Sequence, residues 1–523
     1  MIARRTGNAV FFFSKSGFTW IGNPALNRGM PVRYLLFALA ILVHPAVATA
    51  AKPNVVFILA DDLGYRELGC YGQVKIKTPR IDQLAVDGMR FTRAYSGNAV
   101  CAPSRCVLMT GKHPGKATVR DNRAVEPEGQ HPLFAADMTI AELLREEGYT
   151  CGAFGKWGLG NVGSEGNPNK QGFDRFFGYN CQAHAHSYYP ATLWSDSGIF
   201  PLNNHPPVPG HAGLPEGADP SDPKSYAMFK GQDYAPDRIN EQALDFIREN
   251  KERSFFLYYP SLIPHVALHV PDERLQPYLA EKWNDPPFTG KGGRGYTPHF
   301  TPRAAYAAMI TQLDAHVGSV LDLIEELGLT ENTIVVFTSD NGTTHLGDEV
   351  DYRFFASVGE LRGLKGELYE GGIRVPQIVK WPGKIKAGSS SDRVTGFEDW
   401  MPTLLDLIEA EVDVPAGING VSIAPVLLGN ASGEREFLYR EFPGYGGQQA
   451  VWLGERWKGI RTELMKKGKA PNLALQLYDL NSDPSESYNV AAANPEVVKE
   501  IERIMKREHT ISEAFPFPAL DEE

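Results

Sequence analysis

The run NVVFILA, residues 54–60, is apolar almost throughout and rich in β-branched side chains. A strand buried on both faces reads this way, whereas a half-exposed strand alternates apolar with polar. The pattern then changes period. In TPRIDQLAVDG, Ile81, Leu84 and Ala85 share one helical face. Thr78 stands at the N-cap, Pro79 at N1 and Gly88 at the stop. TIAELLREEG predicts a second helix, with Thr139 and Glu142 at capping-box spacing and Gly148 at its end. YTCGAFGKW and SFFLYYPSLIPH read as strands. Residues 303–327 predict a long helix between Pro302 and Gly328, with Tyr306, Ile310, Leu313, Val317, Val320, Leu321 and Ile324 at helical spacing. TIVVFTSDNG and VPQIVKWPG are further strands.

Strands alternating with helices predict an α/β fold, a mostly parallel sheet with helices on both faces. Two stretches break the pattern. Residues 182–235 are rich in Pro, Gly, His and Asp, and residues 271–302 resemble them. Loops this long are uncommon unless functional or disordered, so both are read as walls of a site. Beyond residue 430 the segments EFLYREF, QAVWLGERWKGIRTE and ALQLYDL predict short antiparallel strands, followed by a helix, PEVVKEIERIMKREH. The expected division is a catalytic part, 51–430, and a small C-terminal α+β part, 431–523.

Composition narrows the function. A formal net charge of −11 excludes a general nucleic-acid binder, which carries a basic domain. An anionic substrate then requires a local cluster of basic groups. At the N-terminus, Arg33 precedes YLLFALAILV, and AVATA ends at Ala50. This is the layout of a signal peptide over residues 1–50, with Met30 a possible true start. Its apolar run is too short for a membrane span. A protein exported to the periplasm or medium is expected.

In open parallel sheets, ligands bind at the carboxyl ends of strands. Four predicted strands end in reactive groups: Asp61-Asp62, Lys156, His265 and Asp340-Asn341. Two carboxylate clusters with an amide present only hard oxygen ligands, which fits Ca²⁺, less so Mg²⁺, rather than zinc. Each Asp alone reads as readily as a cap; two clusters at strand ends favour a cation, since crowded carboxylates repel. Cys101, in CAPSRC, opens a helical-looking run with Arg105 one turn on. A helix N-terminus depresses a thiol's pKa. The residues alone leave a packed thiol, half of a disulfide, a metal ligand and a nucleophile all open. Cys70, Cys106, Cys151 and Cys181 complete an odd count, and no CxxC pair suggests structural zinc.

CAPSR resembles the signature of the type I sulfatases of the alkaline phosphatase superfamily, whose core is Cys-x-Pro-x-Arg. VFILADDLGY, GKWGLG, IPHVALHVP, TSDNG, LRGLKGELYEGGIRVP and LYDLNSDPSESYNVA resemble further motifs of that family, in family order over residues 54–491. The resemblance implies an alkaline-phosphatase-like fold and a sulfuric ester hydrolase acting on a sulfated carbohydrate. It implies that a formylglycine-generating enzyme converts Cys101 to Cα-formylglycine, whose hydrate attacks sulfur. It assigns the metal to Asp61, Asp62, Asp340 and Asn341 with the modified Cys101. Arg105 orients the nucleophile, Lys156 and Lys365 hold the sulfate oxygens, and His265 protonates the leaving alcohol. Two other readings use the same motifs: a phosphonate monoester hydrolase or phosphodiesterase, and a glycan-binding protein whose Cys101 is never converted.

One position departs from the family. Many members read Lys-Trp-His, and here the third residue is Gly158. The expectation is that another histidine substitutes, with His345 and His186 ranked above His184 and His113. Both leading candidates are placed with the substrate-binding groups. Tyr188, Tyr189 and Trp194 suit a sugar-lined wall.

Overall fold

In a computed structural model, which describes residues 52–126, 128–290, 295–431 and 433–522, the first predicted strand forms as β1 (Asn54–Ala60), buried along its whole length. The main sheet adds β2 (Met89–Tyr95), β3 (Thr150–Lys156), β4 (Arg175–Tyr179), β5 (Thr192–Ser195), β6 (Gly198–Pro201), β7 (Phe255–Pro260), β8 (Thr333–Ser339), β9 (Arg374–Lys380), β10 (Ser389–Ser391) and β11 (Thr395–Gly396). Their order is β10-β2-β9-β8-β1-β7-β3-β4-β5-β6, with β11 also on β2. From β8 to β4 every pairing is parallel. The sheet is therefore mostly parallel, as expected. The exceptions are β9, antiparallel to both neighbours, and the β5–β6 hairpin.

Alternate residues of β1 enter different apolar clusters. Val56, Ile58 and Ala60 pack with α1 (Pro79–Asp87), α4 (Ala235–Asn250) and α6 (Pro302–Glu326). Val55, Phe57 and Leu59 pack with α2 (Cys101–Thr110), α3 (Ile140–Glu146) and the helix Trp400–Leu407. Both faces of the sheet are covered, which is why its central strands carry apolar residues on both sides. The capping box at Thr139 and Glu142 forms as read. Thr78 does not cap with its side chain; its hydroxyl binds Gly69 N–H and Asp82 instead.

The stretches read as long loops contain structure. Residues 182–235 hold β5 and β6, and 271–302 holds α5 (Asp272–Leu279). The strands are four residues each, and β6 is exposed along its length, so neither prints a period-two pattern. The two stretches also pair with each other, through His211 with Tyr296 and Gly213 with Gly290.

A second sheet comprises β12 (Phe437–Phe442), β13 (Gln448–Leu453), β14 (Trp457–Arg461) and β15 (Gln476–Asp479), antiparallel throughout. The helix Pro495–Glu508 covers one face through Ile501, Ile504 and Met505. The other face packs Leu438, Ala450 and Trp452 against Tyr95, Val100 and Ile373, beside the start of α2. All five cysteines are free thiols. No helix among the described residues is long and apolar enough to cross a membrane. The signal-peptide reading of residues 1–50 lies outside the described residues.

Candidate active site

β8, β1, β7 and β3 are consecutive neighbours, so their carboxyl ends bring Asp340-Asn341, Asp61-Asp62, His265 and Lys156 to one edge. Asp62 adopts a left-handed backbone, φ 66°, which Asp tolerates better than bulkier residues. Its amide donates to Asp340 Oδ1 at 3.2 Å, and Asn341 Nδ2 donates to its carboxylate at 2.7 Å. Cys101 is the first residue of α2, and its Sγ is buried above this edge. It lies 3.6 Å from Asp61 Oδ1, 3.5 Å from Lys156 Nζ and 3.7 Å from Lys365 Nζ. Lys365 arrives from the loop before β9, where its N–H donates to the Thr343 carbonyl.

The site balances three carboxylates with three cations. Lys156 Nζ sits 2.6 Å from Asp61, and Lys365 Nζ 2.8 Å from Asp62. Arg105 lies one helical turn below Cys101. Its Nη2 donates to Asp340 at 2.7 Å and to Asp61 at 3.3 Å, and its Nη1 to the Lys156 carbonyl. Burial alone would raise the Asp61 pKa, but Lys156, His265, Arg105 and Lys365 hold it below the usual carboxylate range. Burial and the charge of Asp61 raise Asp340. The Lys156 and Lys365 ammonium groups stay charged despite burial, because Asp61 and Asp62 face them.

The Cys101 thiol behaves against expectation. Burial pushes it up to about 12, outweighing Lys156 and Lys365. Arg105 spends its donors on Asp61, Asp340 and the Lys156 carbonyl rather than on sulfur. A nucleophilic cysteine needs its thiolate, which this burial disfavours.

The donor set fits a divalent cation. Asn341 Oδ1 is buried with no partner. Ligand atoms of Asp61, Asp62, Cys101 and His265 all lie within 4.8 Å of one another. Hard oxygens dominate, the chemistry of Ca²⁺ or Mg²⁺ sites.

The sulfatase family profile matches residues 53–410, most of the described chain. The chain belongs to the sulfatase family. It is a sulfuric ester hydrolase with an alkaline-phosphatase-like fold. A second profile, N-sulphoglucosamine sulphohydrolase C-terminal, matches residues 364–512. The chain is 31% identical to arylsulfatase A of Homo sapiens, over 93% of its length and 92% of that protein. It is 31% identical to the N-acetylgalactosamine-6-O-sulfatase of Bacteroides thetaiotaomicron, over 87% and 93%. The solved structure of Ps i-CgsB in complex with k-i-k-neocarrahexaose superimposes with a TM-score of 0.70 and 26% identity, covering 87% of this chain and 92% of that one.

The histidines of this sulfatase divide sharply. His265 Nδ1 donates to the Val266 carbonyl, which points Nε2 at Asp62, 3.7 Å away. Burial, then Lys365 and Lys156, hold its pKa well below the ordinary value. His186 stacks on it, ring centroids 5.1 Å apart, and is itself bonded to His211 at 2.8 Å. His345 rests against the Tyr445 ring, close enough to feel Lys365 and Asp62. His184 is held by Glu128, and His113 by Glu508 beneath Tyr439, away from the site. No histidine of the described residues hydrogen-bonds Cys101 Sγ.

Tyr188 and Tyr189 are core residues rather than a sugar wall; the Tyr188 hydroxyl supports the Leu262 and His265 carbonyls. Trp194 is bonded to Glu128. The rings beside His265 are instead those of His186 and Tyr296, and His211 packs on both of these. Neither His211 nor Tyr296 was marked by the sequence; both sit in irregular segments without periodicity.

Proposed function

We propose that this sulfatase hydrolyses sulfate esters of a sulfated carbohydrate outside the cytoplasm, with Cys101 converted to Cα-formylglycine by a formylglycine-generating enzyme. The observation that carries the reading is the setting of Cys101: a buried thiol at a helix start, facing two ammonium groups and a carboxylate cluster. Its Sγ stands where the oxygens of the hydrated aldehyde would be. The sugar-active sulfatases among its relatives support the carbohydrate assignment.

Each side chain then has a task. Asp61, Asp62, Asp340 and Asn341 would hold Ca²⁺, which supplies positive charge that favours ionisation of the nucleophile and draws charge from the sulfate. Lys156 and Lys365 flank the reacting position and balance the sulfate oxygens, as fixed cations do for a transferring group. Arg105 locks Asp61 and Asp340 in place. His265 Nε2 faces the site and passes a proton to the departing alcohol, which an anionic ester helps it acquire by offsetting Lys156 and Lys365. His186 and His345 border the substrate.

A panel of defined sulfated oligosaccharides tests the reading. Wild-type protein should release inorganic sulfate from at least one of them and leave phosphodiesters intact. Cys101→Ala should abolish release while unfolding at the same temperature. Phosphodiester cleavage without sulfate release, or an active Cys101→Ala protein, contradicts it.

A further inference from the structure

The position that lacks a side chain at Gly158 is filled from the neighbouring strand. β4 runs parallel to β3, with Tyr179 level with Lys156, so Asn180 to Gln182 leave the sheet at the reactive edge. The Trp157 amide donates to the Tyr179 carbonyl and the Gly158 amide to that of Asn180. Gly158 has φ 77°, and a Cβ built there would stand 2.2 Å from Gln182 Nε2 and 3.8 Å from Arg105 Cδ. The carboxamide of Gln182 thus occupies the space beside Arg105 that a longer residue at 158 would need.

Both carboxamides are buried, Asn180 at 1% and Gln182 at 6% exposure, and all four of their polar side-chain atoms lack a partner. A buried unpaired donor or acceptor costs about 1–3 kcal/mol, so four of them at one edge call for a ligand. The chemistry of that ligand follows from the donors and acceptors. A sulfate oxygen only accepts and would leave the Oδ1 and Oε1 atoms unpaired. A cation would leave the NH₂ groups unpaired. A sugar hydroxyl both donates and accepts, and satisfies either end.

We infer that Asn180 and Gln182 form a neutral subsite that hydrogen-bonds hydroxyl groups of the substrate's sugar next to the sulfate. The inference rests on the carbohydrate-sulfatase reading above and adds the residues that select for the sugar. It also means that the gap at Gly158 is filled by a group that does not titrate, so no proton is exchanged from that position.

The test compares two substrates in the full-length enzyme: the sulfated sugar that wild type hydrolyses fastest, and 4-nitrophenyl sulfate, whose leaving group has no hydroxyl. Gln182→Met and Asn180→Leu keep the volume and remove the amides. The ratio of kcat/KM for the sugar over the aryl sulfate should fall about tenfold for each hydrogen bond lost. The thermal midpoint should hold or rise, because an apolar group replaces an unpaired one. An unchanged ratio overturns the subsite, whether both activities fall together or neither does; a lowered midpoint beside an unchanged ratio shows amides that hold structural water. Turnover of 4-nitrophenyl sulfate with no sugar sulfate accepted overturns the subsite and spares the sulfatase chemistry. No sulfate release from either substrate by wild type overturns both.

Discussion

His265 shows how location sets the chemistry of a single side chain. Burial and two nearby ammonium groups hold its pKa well below the ordinary value, with Nδ1–H committed to a carbonyl and Nε2 left toward the site. A general acid matters most when the leaving group is poor. His265→Ala is therefore expected to slow sugar sulfates far more than 4-nitrophenyl sulfate, whose phenolate leaves unaided. Equal losses on the two would remove it as the acid. Most of the site was legible at this scale, because Asp61, Asp62 and Asp340 follow, and Lys156 ends, strands whose apolar runs stand out. The state of the Cys101 thiol was not. The helix N-terminus argued for a lowered pKa, and only the depth of burial, which no local pattern reports, reversed it. Asn180 and Gln182 were equally silent, since an amide in an irregular segment reads as a solvated turn.

Among elements, α3 tests how local rules hold in a large protein. Thr139 Oγ1 accepts from Glu142 N–H, the Glu142 carboxylate accepts in return from Thr139 N–H, and the threonine hydroxyl also donates to the Gln171 carbonyl. Removing an N-cap costs about 0.5–2 kcal/mol. Thr139→Ala should therefore lower the unfolding free energy by that much, read as a lower urea midpoint at constant slope, without altering sulfate release. An unchanged midpoint would mean that packing of Ile140, Leu143 and Leu144 alone holds the helix. The buried strands β1, β3, β7, β8 and β9 were readable from their apolar runs, and α3 because pattern and cap agree. The β5–β6 hairpin and α5 were not, being short, partly exposed and set among prolines and glycines.

Across the whole molecule, the two sheets are joined by buried charge as well as apolar packing. Arg440 pairs with Glu398 at 2.8 Å and Lys458 with Glu370 at 3.1 Å, each pair linking the second sheet to the first part of the chain. His509 ties the last residues to β12, bonding Glu441 at 2.8 Å and Asp521 at 3.0 Å. Burial alone would lower its pKa, but Glu441 and Asp521 raise it above 6.5. The protonated form is thus favoured in the folded state. Its stabilisation is complete below pH 6.5 and is lost as pH rises through the raised folded value. Replacing it, as His509→Gln, should flatten the fall in thermal midpoint over that window; a wild-type-like pH profile would contradict the assignment. The central claim, that the chemistry runs through a converted Cys101, is tested most directly by mass spectrometry of the tryptic peptide 94–105 from active protein. The account predicts a residue 101 that has lost sulfur and two hydrogens and gained one oxygen, in a fraction that tracks specific activity across preparations. Full activity with unmodified Cys101 throughout would contradict it.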